Sequence, residues 1–469
     1  MSSFRHPNWV KKMPKVKILS RNIDHYIRDS KHDIHKVHRD YNPTSHPFEE
    51  AREYVRALNA TKLERSFAKP FLFDLKGNND AVSVLINNKN KLNSLFSGGH
   101  DGVIKEWNLS SKSSNFSIKA HSNWVTGLAQ TGNKLISIGN DKLIKFWDLD
   151  PLNLSSNQSQ NLPSFQIACK ADLKSLDSQY SKTSDNYLAV GDSNGEINLY
   201  EQGTGRTDSV ITFNWNNSTD TVNDVKFNPT EQNLLLTCGM NRSICLYDIR
   251  QNSPLKKVTL EMNSNQCLWN PHNPLQFAIA NEDNNTYLFD TRRLDHASKI
   301  LKGHISSVMS LSYSPTGRQL VTGSYDKTIK IYNIHGNSSS NAIDTYHTKR
   351  MQKVSSVLWS LDNKYILSAS DEFNIRCWKA KAWDRLEYLS ASQKKSRDLA
   401  EALKKKYQNH PEIRRISKHR HVSKHIFVQS QQRREQLGRK KRKERNRKLH
   451  IPGHETKPAR EAAVVKVYD

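Results

Sequence analysis

Two sets of residues in this 469-residue chain could do chemistry: His121 with Ser137 and Asp141, and His304 with Thr322 and Asp326. A histidine between a hydroxyl and a carboxylate is the arrangement of nucleophilic acyl transfer, where the ring takes the hydroxyl proton and the carboxylate orients the ring. The same three groups also make a closed hydrogen-bond network that reacts with nothing, because each donor finds an acceptor. Repetition favours the second reading. Both sets sit in stretches of one form, and a catalytic triad has no reason to be copied along a chain. Other reactive patterns are missing: there is no Walker loop, no GxSxG, and no CxxC among Cys169, Cys238, Cys245, Cys267 and Cys377. His419, His421 and His425 have no Cys or carboxylate at metal-ligand spacing. No enzyme activity, cofactor, metal or small-molecule substrate is expected.

The elements that hold these residues are short strands. Residues 301–334, LKGHISSVMSLSYSPTGRQLVTGSYDKTIKIYNI, alternate apolar and polar residues with period two and break at Gly303-His304 and at Ser314-Pro315-Thr316-Gly317. This segment resembles a WD repeat, one four-stranded blade of a β-propeller, with Tyr332 where the family usually has Trp. An Asp, Asn or Glu followed six residues later by an aromatic recurs as Asp101/Trp107, Asp141/Trp147, Asn194/Tyr200, Asn241/Tyr247, Asp283/Phe289, Asp326/Tyr332 and Glu372/Trp378. The steps of roughly 40 to 53 residues suit one blade each. The expected fold is therefore all-β, a seven-bladed WD-repeat propeller with an N-terminal helical arm and a basic, largely helical C-terminal extension. The second blade keeps the whole network, His121, Ser137, Asp141 and Trp147, and the sixth keeps His304, Thr322, Asp326 and Tyr332. Blades with Asn194 or Asn241 at the turn are expected to be looser.

The flanks divide by composition. Residues 1–44 read as an extended basic arm and 45–70 as a helical clasp, with Thr61-Lys62-Leu63-Glu64 of capping-box form for a second short helix. The propeller is expected over 71–383, with 71–75 as a strand that closes the ring on the last blade. Residues 384–469 are read as a basic helical RNA-binding extension. Leu399, Leu403 and Tyr407 give one helix an apolar face for the propeller. Residues 394–450 hold 21 Lys/Arg against five Asp/Glu in a chain of net charge +26, which calls for a polyanionic partner. Arg414, Arg415, Lys418, His419, Arg420 and His421 are the first candidates for RNA contact, and Arg439, Lys440, Lys441, Arg442 and Lys443 are further phosphate ligands. No apolar run approaches 18 residues and the opening MSSFRHPNWVKKMPKVK has no apolar core, so neither a membrane span nor secretion is expected.

Three stretches outside the repeats, HPFEEAREYVRALNATKLERSFAKPF, YHTKRMQKV and HPEIRRISKHRHV, closely resemble the suppressor-of-fibrillarin family of WD-repeat proteins. The resemblance runs from about Met13, that family's usual start, to the final VVKVYD; residues 1–12 depart from it. It implies a non-enzymatic component of the nucleolar small-subunit processome, needed for precursor ribosomal RNA processing and small-subunit biogenesis. The implied partners are precursor ribosomal RNA, box C/D small nucleolar RNA, and processome and snoRNP proteins, in the nucleus and nucleolus. A second resemblance points elsewhere. Tyr247-Asp248-Ile249-Arg250 and Phe289-Asp290-Thr291-Arg292 look like the WD-x-Arg blade ends of cullin-RING ubiquitin ligase substrate receptors, which implies contact of Arg250 and Arg292 with an adaptor. The charge of the tail favours the first reading.

Overall fold

The computed structural model describes residues 42, 44–149, 162–179, 187–203, 205–214, 220–251, 253–335, 340–386, 388–419, 421–451 and 458–468. The expected basic arm lies almost wholly outside them. Seven antiparallel sheets follow one another along the chain and form a seven-bladed β-propeller. Six blades are continuous in sequence, over 82–119, 125–168, 173–214, 222–260, 264–301 and 308–346. The seventh joins Val354–Trp359, Tyr365–Ser370 and Ile375–Lys379 to the early strand Phe71–Leu75, which pairs Phe71 with Trp378 and Leu75 with Ile375. The ring thus closes through its two ends, with the early strand as the outer strand of the last blade.

Each blade must be covered on both faces, and its middle strands show this: Gln319–Ser324 is buried from Leu320 onward, as is Tyr365–Ser370 from Leu367 with Ile366. The turn between second and third strands repeats one conformation around the ring. Lys142, Arg242, Asn284, Lys327 and Phe373 have φ of 65°, 60°, 74°, 64° and 69°, and Gly102 and Gly195 hold the equivalent place in blades one and three. At Gly102 a β-carbon would collide with the His121 carbonyl oxygen, so no other residue fits. The residue just before each left-handed position is the Asp, Asn or Glu of the sequence ruler. In five blades its side chain accepts the backbone N–H two residues on, at 3.0 Å for Asp101, Asn241 and Asp326, 2.9 Å for Asp283 and 3.3 Å for Asp141, while Glu372 pairs with Arg376. That bond pins the turn. Asn241 makes it as well as Asp does, which is why the fourth blade keeps its turn without a carboxylate.

Outside the ring lie α1 (Glu49–Ser66), α2 (Ala391–Lys406), α3 (Pro411–Lys418), α4 (Lys424–His450) and α5 (Ala459–Ala462). The expected second short helix near Thr61 does not exist. α1 runs through it, because the Thr61 hydroxyl donates to the Ala57 carbonyl one turn back, at 2.8 Å, rather than capping a new helix. A capping box between Ser390 and Gln393 starts α2. The apolar face of α2 also lands elsewhere than expected. Leu403 packs with Ala57 of α1 and Ile413 of α3, beside Tyr54, Leu58 and Tyr407, while Leu399 stays exposed. N-terminal and C-terminal helices therefore cover one another, tied by Lys404–Glu64 at 2.5 Å and Lys406–Glu53 at 2.6 Å. Arg65 fastens this bundle to the propeller, with one nitrogen 3.1 Å from Asp344 in blade six and another 2.8 Å from the Ser417 carbonyl. The extension does not end as a helix. Val464–Tyr468 is a fifth strand on the outer strand of blade four, Pro254–Leu260.

Candidate nucleic-acid interface

In blade two, His121 Nδ1 lies 2.9 Å from an Asp141 oxygen and Nε2 lies 2.9 Å from the Ser137 hydroxyl, which also accepts the Trp147 indole N–H at 2.9 Å. Ser137 is wholly buried and its oxygen is already engaged twice, so no substrate carbonyl can reach it. In blade six, His304 Nδ1 is 2.8 Å from Asp326 and Nε2 is 2.6 Å from Thr322. Tyr332 does not repeat the part of Trp147 here: its hydroxyl donates to the Lys302 carbonyl at 3.4 Å. The Trp to Ser bond recurs instead in Trp107–Ser97 and Trp378–Ser368, at 2.8 and 2.9 Å. Burial pushes the His121 and His304 imidazoles below their ordinary range against the pull of their Asp partners. Burial alone would raise the Asp326 carboxyl, but His304 and Lys330 outweigh it and hold Asp326 below the usual carboxylate range. These groups hold turns in place.

The cationic candidates lie on the helices. Arg414, Arg415, Lys418 and His419 are exposed along and just after α3, and Arg420 lies outside the described residues. Ile413 anchors α3 from its opposite face, buried against α1 and α2. His421 is exposed, with its ring stacked on that of His347 at 5.6 Å and 7°. The displaced histidine of the last blade thus meets the extension rather than a turn carboxylate. Arg439, Lys440, Lys441, Arg442 and Lys443 are all exposed in the second half of α4. The 15 residues of α4 from Lys424 to Arg439 separate the two groups by roughly 22 Å of helix.

α4 is held by Ile426, which is buried, and by Arg433. Its guanidinium donates to the carbonyls of His304 at 3.2 Å, Ile305 at 2.9 Å and Asp283 at 2.9 Å, crossing from blade six to blade five. Sequence reading did not single out Arg433, because nothing in its neighbours sets it apart from the other cations of the tail. Beyond it, residues 439–448 hold eight Lys/Arg and one acid, Glu444. Like charges three and four apart repel along a helix, and a polyanion laid against them relieves that repulsion and releases its own counterions.

Arg250 and Arg292 are both exposed at the ends of the third strands of adjacent blades, on the side opposite the Asp turns. With the Asn233 amide oxygen turned toward it, Arg250 Nε donates to that oxygen at 3.0 Å.

Comparison with known proteins agrees with this architecture. A family model described as the Sof1-like domain matches residues 380–464, one described as WD domain, G-beta repeat matches 112–148, and a NUP159/214 beta propeller model matches 198–373. The chain is 40% identical over 459 residues to the Homo sapiens protein DDB1- and CUL4-associated factor 13, covering 96% of this chain and all of that one. It is 38% identical over 455 residues to Protein SOF1 of Saccharomyces cerevisiae, covering 92% and 90%. With the Danio rerio DDB1- and CUL4-associated factor 13 it shares 39% over 438 residues, covering 93% and 95%. The similarity runs along nearly the full length, and the chain belongs to the Sof1-like family of WD-repeat proteins that includes these relatives.

Proposed function

We propose that the protein is a non-enzymatic scaffold of the nucleolar small-subunit processome, serving precursor ribosomal RNA processing and small-subunit biogenesis. The propeller docks processome and snoRNP proteins, and the extension binds precursor ribosomal RNA and box C/D small nucleolar RNA. The observation that carries this reading is the second half of α4, a helix held at Arg433 and bare beyond it, with Arg439, Lys440, Lys441, Arg442 and Lys443 exposed. Arg414, Arg415, Lys418, His419, Arg420 and His421 extend the contact, with phosphates as the target of the cations and unpaired bases as that of the rings. Removing residues 384–469 would be a poor test, because it also strips the cover from α1 and a strand from blade four. Changing the five cations from Arg439 to Lys443 to Ser leaves both intact. Each phosphate that is no longer neutralised should reduce the slope of log affinity against log salt by about 0.7 for single strands. An unchanged slope and affinity would remove the RNA role from α4.

A second reading rests on the exposure of Arg250 and Arg292 at one side of adjacent blades, and on relatives whose name associates them with DDB1 and CUL4. In it the protein is a substrate receptor of a cullin-RING ubiquitin ligase. Replacing both arginines by Ala should abolish co-purification with DDB1 and leave Tm unchanged; retained co-purification would reject the reading.

A further inference from the structure

α4 crosses the turn face of blades five and six without filling the space beneath it. The cleft between them, about 700 Å³, is lined from the helix by Gln429, Gln432, Gln436 and Lys440 and from the propeller by Tyr325 and Lys327, among others. A helix that packs for stability presents an apolar stripe at this spacing. Here Gln429, Gln432 and Gln436 carry amides with Leu437 beside them, and the helix is held by buried Ile426 and by Arg433 with its three carbonyl partners. Tyr325 is 41% exposed at the turn next to Asp326, with Lys353 Nζ 5.2 Å from its ring centroid. Lys327 adopts the left-handed conformation, with φ 64°, and its ammonium donates to the exposed Gln352 amide at 2.7 Å.

We infer that this cleft takes an unpaired RNA nucleotide, its base stacked on Tyr325 and read at its edge by the amides of Gln429, Gln432 and Gln436, its phosphates on Lys327 and Lys440. The chemistry fits part by part. An aromatic ring accepts the face of any base, a primary amide supplies a donor and an acceptor to a base edge, and with Lys353 over one face of the ring the base takes the other. Asp371 and Glu282 stand near Tyr325 and disfavour a phosphate over the ring itself. Lys440 belongs both to the cleft and to the basic run, so a strand lying along Arg439 to Lys443 continues into the cleft without a break. That continuity favours RNA over a free nucleotide or a peptide, and in this respect the inference rests on the RNA reading of α4.

The test uses the full-length protein and a single-stranded RNA oligonucleotide containing 4-thiouridine. Ultraviolet crosslinking followed by peptide mapping should place a crosslink at Tyr325. Tyr325→Ala, at an exposed turn whose backbone bond from its own N–H to the Ser307 carbonyl is kept, should melt as the wild type does and weaken RNA binding about 5- to 100-fold. Its salt slope should stay that of the wild type, because no charge is removed. Gln432→Ala with Gln436→Ala should act the same way. If Tyr325→Ala binds as the wild type does while the Arg439 to Lys443 variant loses its salt slope, the cleft is overturned and α4 remains an RNA ligand. If AMP competes as strongly, mole for mole, as the oligonucleotide binds, the cleft is a free-nucleotide site and the RNA assignment falls.

Discussion

Val258, in the outer strand of the fourth blade, faces Val467 across an antiparallel pair that also sets Lys257 against Tyr468. The chain end is thereby part of the propeller wall. Ala463 and Val464 are buried in the cluster that holds Leu260, Leu294, Ala297 and Ile300, and the Thr259 hydroxyl donates to the Lys466 carbonyl at 3.1 Å.

Deleting residues 463–469 should therefore destabilise the fourth blade by about 1.5–3 kcal/mol for each buried side chain of valine size that is removed. It also bares the edge of Pro254–Leu260. Amide hydrogen exchange would report it: the N–H groups of that strand should lose protection first, while Gln319–Ser324 two blades away keeps its own. Equal protection in both proteins would show the strand to be an ornament.

The histidine networks predict a pH dependence. An unfolded imidazole titrates near 6.5, whereas burial holds His121 and His304 below that in the fold. Below about pH 6.5 the unfolded chain binds protons that the folded chain refuses, so stability falls as pH drops. Asp326 acts in a lower window. Its carboxyl is held below its ordinary value, so its contribution is complete above about pH 4 and is lost as pH falls further. Against a variant with His121 and His304 changed to Gln, which should cost about 1–3 kcal/mol per network at pH 7.5, the wild type should lose its advantage as pH falls to 5.5. A stability difference equal at the two pH values would contradict the account.

Asp192 predicts the opposite sign. It is 4% exposed in blade three, with one oxygen held by the Asn198 amide at 2.8 Å and the other, Oδ1, buried without a hydrogen-bond partner among the described residues. Burial, with Glu196 nearby and Asn198 opposing, lifts its carboxyl to about 7. A raised carboxyl contributes stability below the unfolded value near 3.9 and loses it as pH rises through the folded one. Asp192→Asn removes the buried charge at nearly constant shape. It should be more stable than the wild type by about 1–3 kcal/mol at pH 8, with the gap narrowing toward pH 5. Denaturant melts at the two pH values would measure it, and a destabilised Asn variant at pH 8 would refute it.

Sequence alone determined the ring. A blade repeats because each needs the same turn, and that turn needs a short acceptor at one position and an aromatic six residues on, so Asp101, Asp141, Asn194, Asn241, Asp283, Asp326 and Glu372 are legible as a ruler. The closing strand Phe71–Leu75 was legible too, because a propeller cannot leave one blade short of an edge. What the local pattern could not carry was the destination of the appendages. Leu403 has the same spacing whether it lies on the propeller or on α1, and only the fold shows Ala57 opposite it. The final VVKVYD is too short to declare a partner strand, which lies some 200 residues away in sequence and beside it in space. Arg433 is one cation among many until α4 is laid over Asp283, His304 and Ile305, whose carbonyls come from turns of two blades. Repetition writes itself into a sequence because each copy solves the same local problem; a docking contact is made once, between residues that share no local pattern, and the tertiary structure alone decides it.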